Sequence, residues 1–150
     1  MNNYKRFGMM VATATVVMFG LMYLNTYQWD HIFFSETRAY MALIMGSVMA
    51  ITMLLFMRKM YTNKRANTGI LLGSLVVFVL SLWLVRSQVT VGDVSYMRAM
   101  IPHHSIAILT SERAQIKDPR VRELADGIID AQVKEIAEMK ALIADLEAKK

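Results

Sequence analysis

Cysteine is absent from this chain of 150 residues, proline occurs twice and histidine three times. Without thiols there is no disulfide framework and no zinc–thiolate site, an absence compatible with an oxidising compartment. No Gly-rich phosphate loop, nucleophile elbow or zinc-protease motif occurs. Nor do the paired Glu-x-x-His motifs that a ferritin-like di-iron site needs. Together these absences argue against an enzyme. Charge is missing in blocks: Phe7 to Leu24, Ala39 to Met57 and Gly69 to Val85 each run 17 to 19 residues without one charged side chain.

Those blocks dominate what is present. The composition is 55% hydrophobic, and the mean hydropathy is +0.35. A helix of about 18 residues rises roughly 27 Å, close to the hydrocarbon thickness of a bilayer. The blocks therefore predict three transmembrane helices. The first follows Lys5 and Arg6 as a signal peptide would, but it ends in "YLNTYQWD" without a small-residue cleavage site, so an uncleaved anchor is expected.

The net charge of +5 is unevenly spread. Before Asp93 there are eight Lys/Arg against two acids; from Asp93 onward there are nine against ten. The excess therefore belongs to the apolar half, where basic residues set topology, and nucleic acid is excluded as a partner. Lys5 and Arg6 precede the first block, and Arg58, Lys59, Lys64 and Arg65 separate the second from the third. By the positive-inside rule this predicts a bacterial inner-membrane protein with a cytoplasmic N-terminus and a periplasmic tail. Tyr23, Tyr27, Trp29 and Trp83 fall on the outer side, as an interfacial aromatic belt would. Two domains are expected, residues 1–88 in the membrane and 89–150 outside it.

The tail reads as a helical hairpin, which makes the fold class all-α. Gly92-Asp93 ends the β-branched "VTV" and supplies an N-cap; a helix is then predicted from about Val94 to Ile116. Asp118-Pro119 starts a second helix, a capping carboxylate followed by proline at the first helical position, running to about Ala148. Two such helices cannot bury both apolar stripes by themselves. The hairpin is therefore expected to self-associate into a four-helix-like bundle, making the protein a homo-oligomer.

Chemistry concentrates in "YMRAMIPHHSIA", residues 96–107. Met97, Met100, His103 and His104 fall within one helical arc of about 120°. Pro102 removes the hydrogen bond to the Arg98 carbonyl and is expected to kink the helix beside the imidazoles. On the second helix Gln132 and Met139 interrupt the apolar seam, with Glu135 one turn from each. Thioether with neutral imidazole favours a soft ion of low coordination number, Cu(I) or by the same softness Ag(I), over Zn, Mg, Ca or Fe(II). The competing reading is packing. Methionine at helical spacing is commonly core filler, and a histidine on an apolar stripe is commonly hydrogen-bonded in place. His31, beside Asp30, is a further ligand candidate. Met41, Met45, Met49, Met53 and Met57 recur every four residues in the second block. Such a row drifts by about 40° per step and winds round its helix, so it reads as a packing face rather than a channel wall.

"YMRAMIPHHSIAILTSERA" followed by "DPRVRELADGIIDAQVKEIAEMKALI" resembles the domain-of-unknown-function 305 family, with its Met-Ile-x-His-His core and later Gln-x-x-Glu-Ile-x-x-Met. The resemblance runs from about Asp93 to Leu146, and "ETRAYMALIMGSVMAITMLLFMRKMY" is similar to the membrane part of the members that carry spans. It implies a helical domain of ferritin-like shape. CopM-type members of the family are periplasmic copper-binding proteins tied to copper tolerance. The resemblance therefore implies Met97, Met100, His103, His104 and Met139 as ligand positions. Thr110 and Ser111 stand where similar members often place Met and Cys, and Ile106 where others carry Met or Gly. That implies one copper site rather than several.

Two functions from different classes follow. One is a membrane-anchored periplasmic protein that binds Cu(I) or Ag(I) for sequestration or for hand-over to a copper-handling partner. The other is a structural, oligomerising membrane protein whose Met/His cluster is packing core. A transporter using the methionine-rich spans is disfavoured, because those spans hold no ionisable residue.

Overall fold

The computed structural model describes residues 3–149. Among them are five α-helices, a short 3-10 turn at Trp29–His31 and no strand. The helices are α1 (Asn3–Leu21), α2 (Glu36–Phe56), α3 (Lys64–Ser87), α4 (Asp93–Arg113) and α5 (Pro119–Ala148). The all-α expectation holds.

Two of these helices, α2 and α3, are long and apolar enough to cross a membrane, where three were expected. The first block falls short for a local reason. Its helix begins on Asn3, Tyr4, Lys5 and Arg6 and ends at Leu21, before Met22, Tyr23 and Leu24, so its apolar helical part is short. In α3 only 6% of the most apolar stretch is buried. A core helix of a water-soluble protein hides such a surface; Leu72, Leu75, Val76, Val79 and Leu80 instead stay exposed, which suits a lipid solvent.

The chain divides into two compact units. The first comprises Met1–Met22 and Thr37–Thr90; the second joins Tyr23–Glu36 to Val91–Lys150. Of the two ranges expected from sequence, residues 1, 2 and 150 lie outside the described residues. The segment between α1 and α2 thus packs with the C-terminal hairpin, a grouping that a split at residue 88 does not contain.

In the first unit, α2 buries Ala42, Gly46, Ser47, Ala50 and Leu54, a face of small residues at helical spacing. Gly46 lies so close to Thr15 of α1 that a Cβ there would fall onto the threonine hydroxyl. Phe7, Ala50, Leu54 and Tyr61 form a core, with Met53 and Met57 packed against it. Met41 and Met45, earlier in the same row, are exposed. The row therefore changes face along α2, as its drift predicts. The Tyr4 hydroxyl donates to Asn67 Oδ1 at 2.9 Å and accepts the Asn63 backbone N–H at 3.0 Å. Asn63 also caps α3, its side chain accepting the Ala66 N–H at 3.1 Å. At the other end Gln88 takes a left-handed conformation (φ 52°), closing α3 with an N–H bond to Leu84 O at 3.0 Å.

In the second unit α4 and α5 form an antiparallel hairpin. Its direction and register are set by two cross-links, Arg98 to Glu147 at 2.5 Å and His104 to Glu135 at 2.7 Å. Asp118 caps α5 by accepting the Arg120 N–H at 2.9 Å, and Pro119 follows at the first position, as expected. At the start of α4 the N-cap is Gly92 and Asp93 lies in the first turn, one position later than the capping role expected of it. The core consists of Met97, Ile101, Ile108, Ile136 and Ile143. Tyr27 and Phe33 from the 23–36 segment pack against that core. One open side of the hairpin is therefore covered by the chain's own loop.

Candidate metal centre

α4 presents Met97, Met100 and His104 on one side because residues three, four and seven apart share a helix face. Pro102 sits inside α4, buried, and the helix continues through it. From α5, Glu135, Glu138, Met139, Leu142 and Leu146 face the same space. With Asp93 and Tyr96 these side chains line a cleft of about 560 Å³ between the two helices. Four of the five expected ligand residues therefore share one cavity: Met97, Met100, His104 and Met139.

His103 is the one left out. Its ring stands 6.0 Å from that of His104, centroid to centroid, at 65°, on an exposed side chain that does not line the cleft. Successive residues on an α-helix diverge by about 100°, so adjacent imidazoles are directed to different sides. Gln132 is also elsewhere, on a shallow groove of α5 with Arg120, Leu124 and Ile128.

His104 is held at both nitrogens. Nδ1 lies 2.9 Å from the Met100 carbonyl oxygen and Nε2 lies 2.7 Å from Glu135 Oε2. The Met100 contact fixes the ring's orientation and directs Nε2 toward the cleft, the outer-sphere arrangement common for ligating histidines. The charged residues lining the cleft are Asp93, Glu135 and Glu138, with no lysine or arginine. Its local field therefore favours a cation. Among the described residues no group of three or more His, Asp or Glu converges to hold a metal. A hard-ligand cage is thus not built here. The cleft lining carries three thioethers, one imidazole and three carboxylates, of which only the Glu135 carboxylate meets the imidazole; thioether is a soft donor that Mg, Ca and Zn seldom take.

Met97 has a double character. It is 7% exposed and belongs to the hydrophobic core, yet it also lines the cleft wall. Met100 and Met139 are only half-buried.

His31 does not line this cleft. It is buried, and its Nδ1 faces Ser105 Oγ at 2.9 Å. Ser105 Oγ accepts the Tyr27 backbone N–H at 2.6 Å, so its own hydrogen is free to donate to His31 Nδ1. Asp30 Oδ1 lies 3.8 Å from His31 Nε2, and Asp30 Oδ2 pairs with Lys140 of α5 at 2.6 Å. Asp, His and Ser in that order invite comparison with a hydrolytic triad. The geometry answers it: Ser105 is 0% exposed, and 3.8 Å is too long for the orienting hydrogen bond. The constellation is a latch for the 23–36 segment. Burial, then the nearby Lys140 charge, hold the His31 imidazole below its ordinary range, while Asp30 opposes them. The hydrogen bond from Lys140 lowers the Asp30 carboxyl.

Comparison with known proteins bears on the hairpin. Residues 86–150 match the family model of a domain of unknown function, DUF305. The DUF305 segment thus contains all of α4 and α5, and with them every cleft-lining residue. The uncharacterized protein L153 of Acanthamoeba polyphaga mimivirus is 34% identical over 89 residues. That alignment covers 55% of this chain, which spans 59% of the viral protein's length. No solved structure matches the chain.

Proposed function

We propose that this is a membrane-anchored protein whose DUF305 segment binds a soft monovalent ion, Cu(I) or Ag(I), as cargo. It sits in a bacterial inner membrane with its N-terminus in the cytoplasm, and α1 crosses as a third, shorter span. The hairpin lies in the periplasm, in a CopM-like arrangement. The role is sequestration or hand-over to a copper-handling partner in metal tolerance, by binding rather than turnover. The observation that carries the reading is the single cleft lined by Met97, Met100, Met139 and His104. Thioether and imidazole in one place suit Cu(I) better than any abundant divalent ion. Self-association belongs to the same proposal: Leu124 and Ile128 form an exposed apolar patch on α5, outside the cleft, that a second copy would cover.

The test is titration of the full chain in detergent with Cu(I) against a chromogenic chelator. His104→Ala and Met139→Leu are expected to weaken binding about tenfold or more, and His103→Ala by less than about threefold. Wild-type protein that cannot compete with the chelator removes the proposal.

The second reading, a structural protein with Met and His as packing core, draws on Met97, which is buried among isoleucines. It predicts that Met97→Leu, which keeps volume, leaves metal affinity and assembly unchanged. Loss of Cu(I) affinity in that variant decides for the metal site.

A further inference from the structure

The cleft holds one group that a purely Cu(I) site does not need. Glu135 places Oε2 at 2.7 Å from His104 Nε2, and its side chain is 51% exposed, so it can move without disturbing the core. His104 Nδ1 meets the Met100 carbonyl at 2.9 Å within its own helix, so Nε2 is the nitrogen an ion would take, entering between it and the mobile Glu135 carboxylate that now contacts it. A nitrogen donor and a carboxylate oxygen are thus neighbours, on opposing helices, at the edge of a thioether-lined wall. Glu138 and Asp93 line the same cleft and add negative charge.

Cu(I) is satisfied by thioether and imidazole. Cu(II) prefers nitrogen and oxygen donors. The cleft offers both sets at once. We propose that Glu135 equips this site to hold Cu(II) as well as Cu(I), the His104–Glu135 pair taking the oxidised ion and the methionines taking the reduced one. The inference rests on the metal-binding reading above and extends it to the oxidation state of the cargo. A site of this composition keeps copper bound whichever form arrives, without itself oxidising or reducing it. Ag(I), which has no harder counterpart of that kind, gains little from the carboxylate and serves as the control ion.

The experiment uses the full chain in detergent, wild type and Glu135→Gln, titrated separately with Cu(II), Cu(I) and Ag(I), each against a competing chelator. Electron paramagnetic resonance of the Cu(II) form reports its donor set. Glu135→Gln is expected to weaken Cu(II) about tenfold or more and to change its spectrum, while Cu(I) and Ag(I) stay within about threefold. Met139→Leu is expected to show the reverse preference. Equal weakening of all three ions by Glu135→Gln makes Glu135 a residue that positions His104, and overturns the inference. Wild-type protein that binds Cu(I) but not Cu(II) also overturns it and leaves the proposed function standing. Wild-type protein that binds neither ion removes the proposed function, and this inference with it.

Discussion

Ser105 shows how much one small side chain can hold. It is fully buried on α4, accepts the Tyr27 backbone N–H and meets His31 Nδ1 through the same oxygen. Ser105→Ala deletes both partners and leaves a buried N–H and an imidazole nitrogen unpaired. The expected cost is about 1–3 kcal/mol, against near-neutral effects for exposed serines. Chemical denaturation in detergent measures it, and a variant as stable as wild type would show that the latch contributes nothing. Nothing in the sequence marks Ser105, because its partners lie 74 and 78 positions away in a loop of no regular pattern. The methionines were legible for the opposite reason. Met97, Met100 and His104 are related by helical spacing alone, and that spacing survives into any α4. Spacing within an arc of about 120° does not decide which of two adjacent imidazoles lines the cleft; in the structure it is His104, while His103 is exposed. Choosing Glu135 over Gln132 required the register between α4 and α5, which the Arg98–Glu147 and His104–Glu135 pairs fix and which spacing within one helix cannot contain.

Among the elements, the end signals at Asp118-Pro119 located α5 correctly, since capping is a local property. The segment 23–36 was not legible as part of the second unit, for its attachment depends on scattered polar contacts rather than periodicity. His31 makes that attachment depend on pH. Burial and Lys140 depress its pKa, so the docked imidazole stays neutral where an undocked one, titrating near about 6.5, takes up a proton. Docking is therefore fully stable above that ordinary value and weakens as pH falls below it, until the depressed value is reached. Asp30, whose pKa is also lowered, loses its contribution only further down, below the usual carboxylate range. Hydrogen exchange of residues 23–36, corrected for intrinsic rates, is expected to show less protection at about pH 5.5 than at about pH 7.5. In His31→Gln that difference disappears; equal protection at both pH values in the wild type would exclude the coupling. A second element-scale expectation concerns Gly46. Thr15 is held by a hydrogen bond to the Val11 carbonyl at 2.8 Å, and its Cγ2 and Cβ stand 3.2 and 3.3 Å from where a Cβ on residue 46 would lie. Rotating the threonine thus brings no relief, and Gly46→Val is expected to destabilise α1 against α2 by about 1–3 kcal/mol. Thermal unfolding in detergent reads the loss, and an unchanged midpoint would mean the two helices part freely.

For the whole molecule, the distribution of surfaces is the main argument. The first unit exposes apolar side chains along α3, whereas the second carries the charged side chains of α4 and α5, so the two halves ask for different solvents. Arg58 and Lys59 between α2 and α3, with Lys64 and Arg65 in the first turn of α3, are exposed, and no acid lies in that stretch. In the proposed orientation such a cluster stays on the cytoplasmic side. Because α3 connects that side to the DUF305 segment, one crossing by α3 puts the cleft on the opposite face of the membrane. The absence of cysteine makes this directly measurable, since any introduced thiol is the sole reactive one. Thr62 lies in the basic connection and Gln115 in the turn between α4 and α5, both exposed and both outside the cleft. In spheroplasts treated with a membrane-impermeant maleimide, Gln115→Cys is expected to label before lysis and Thr62→Cys only after it. Labelling in the reverse order would place the hairpin in the cytoplasm, and labelling of both before lysis would mean that α3 does not cross.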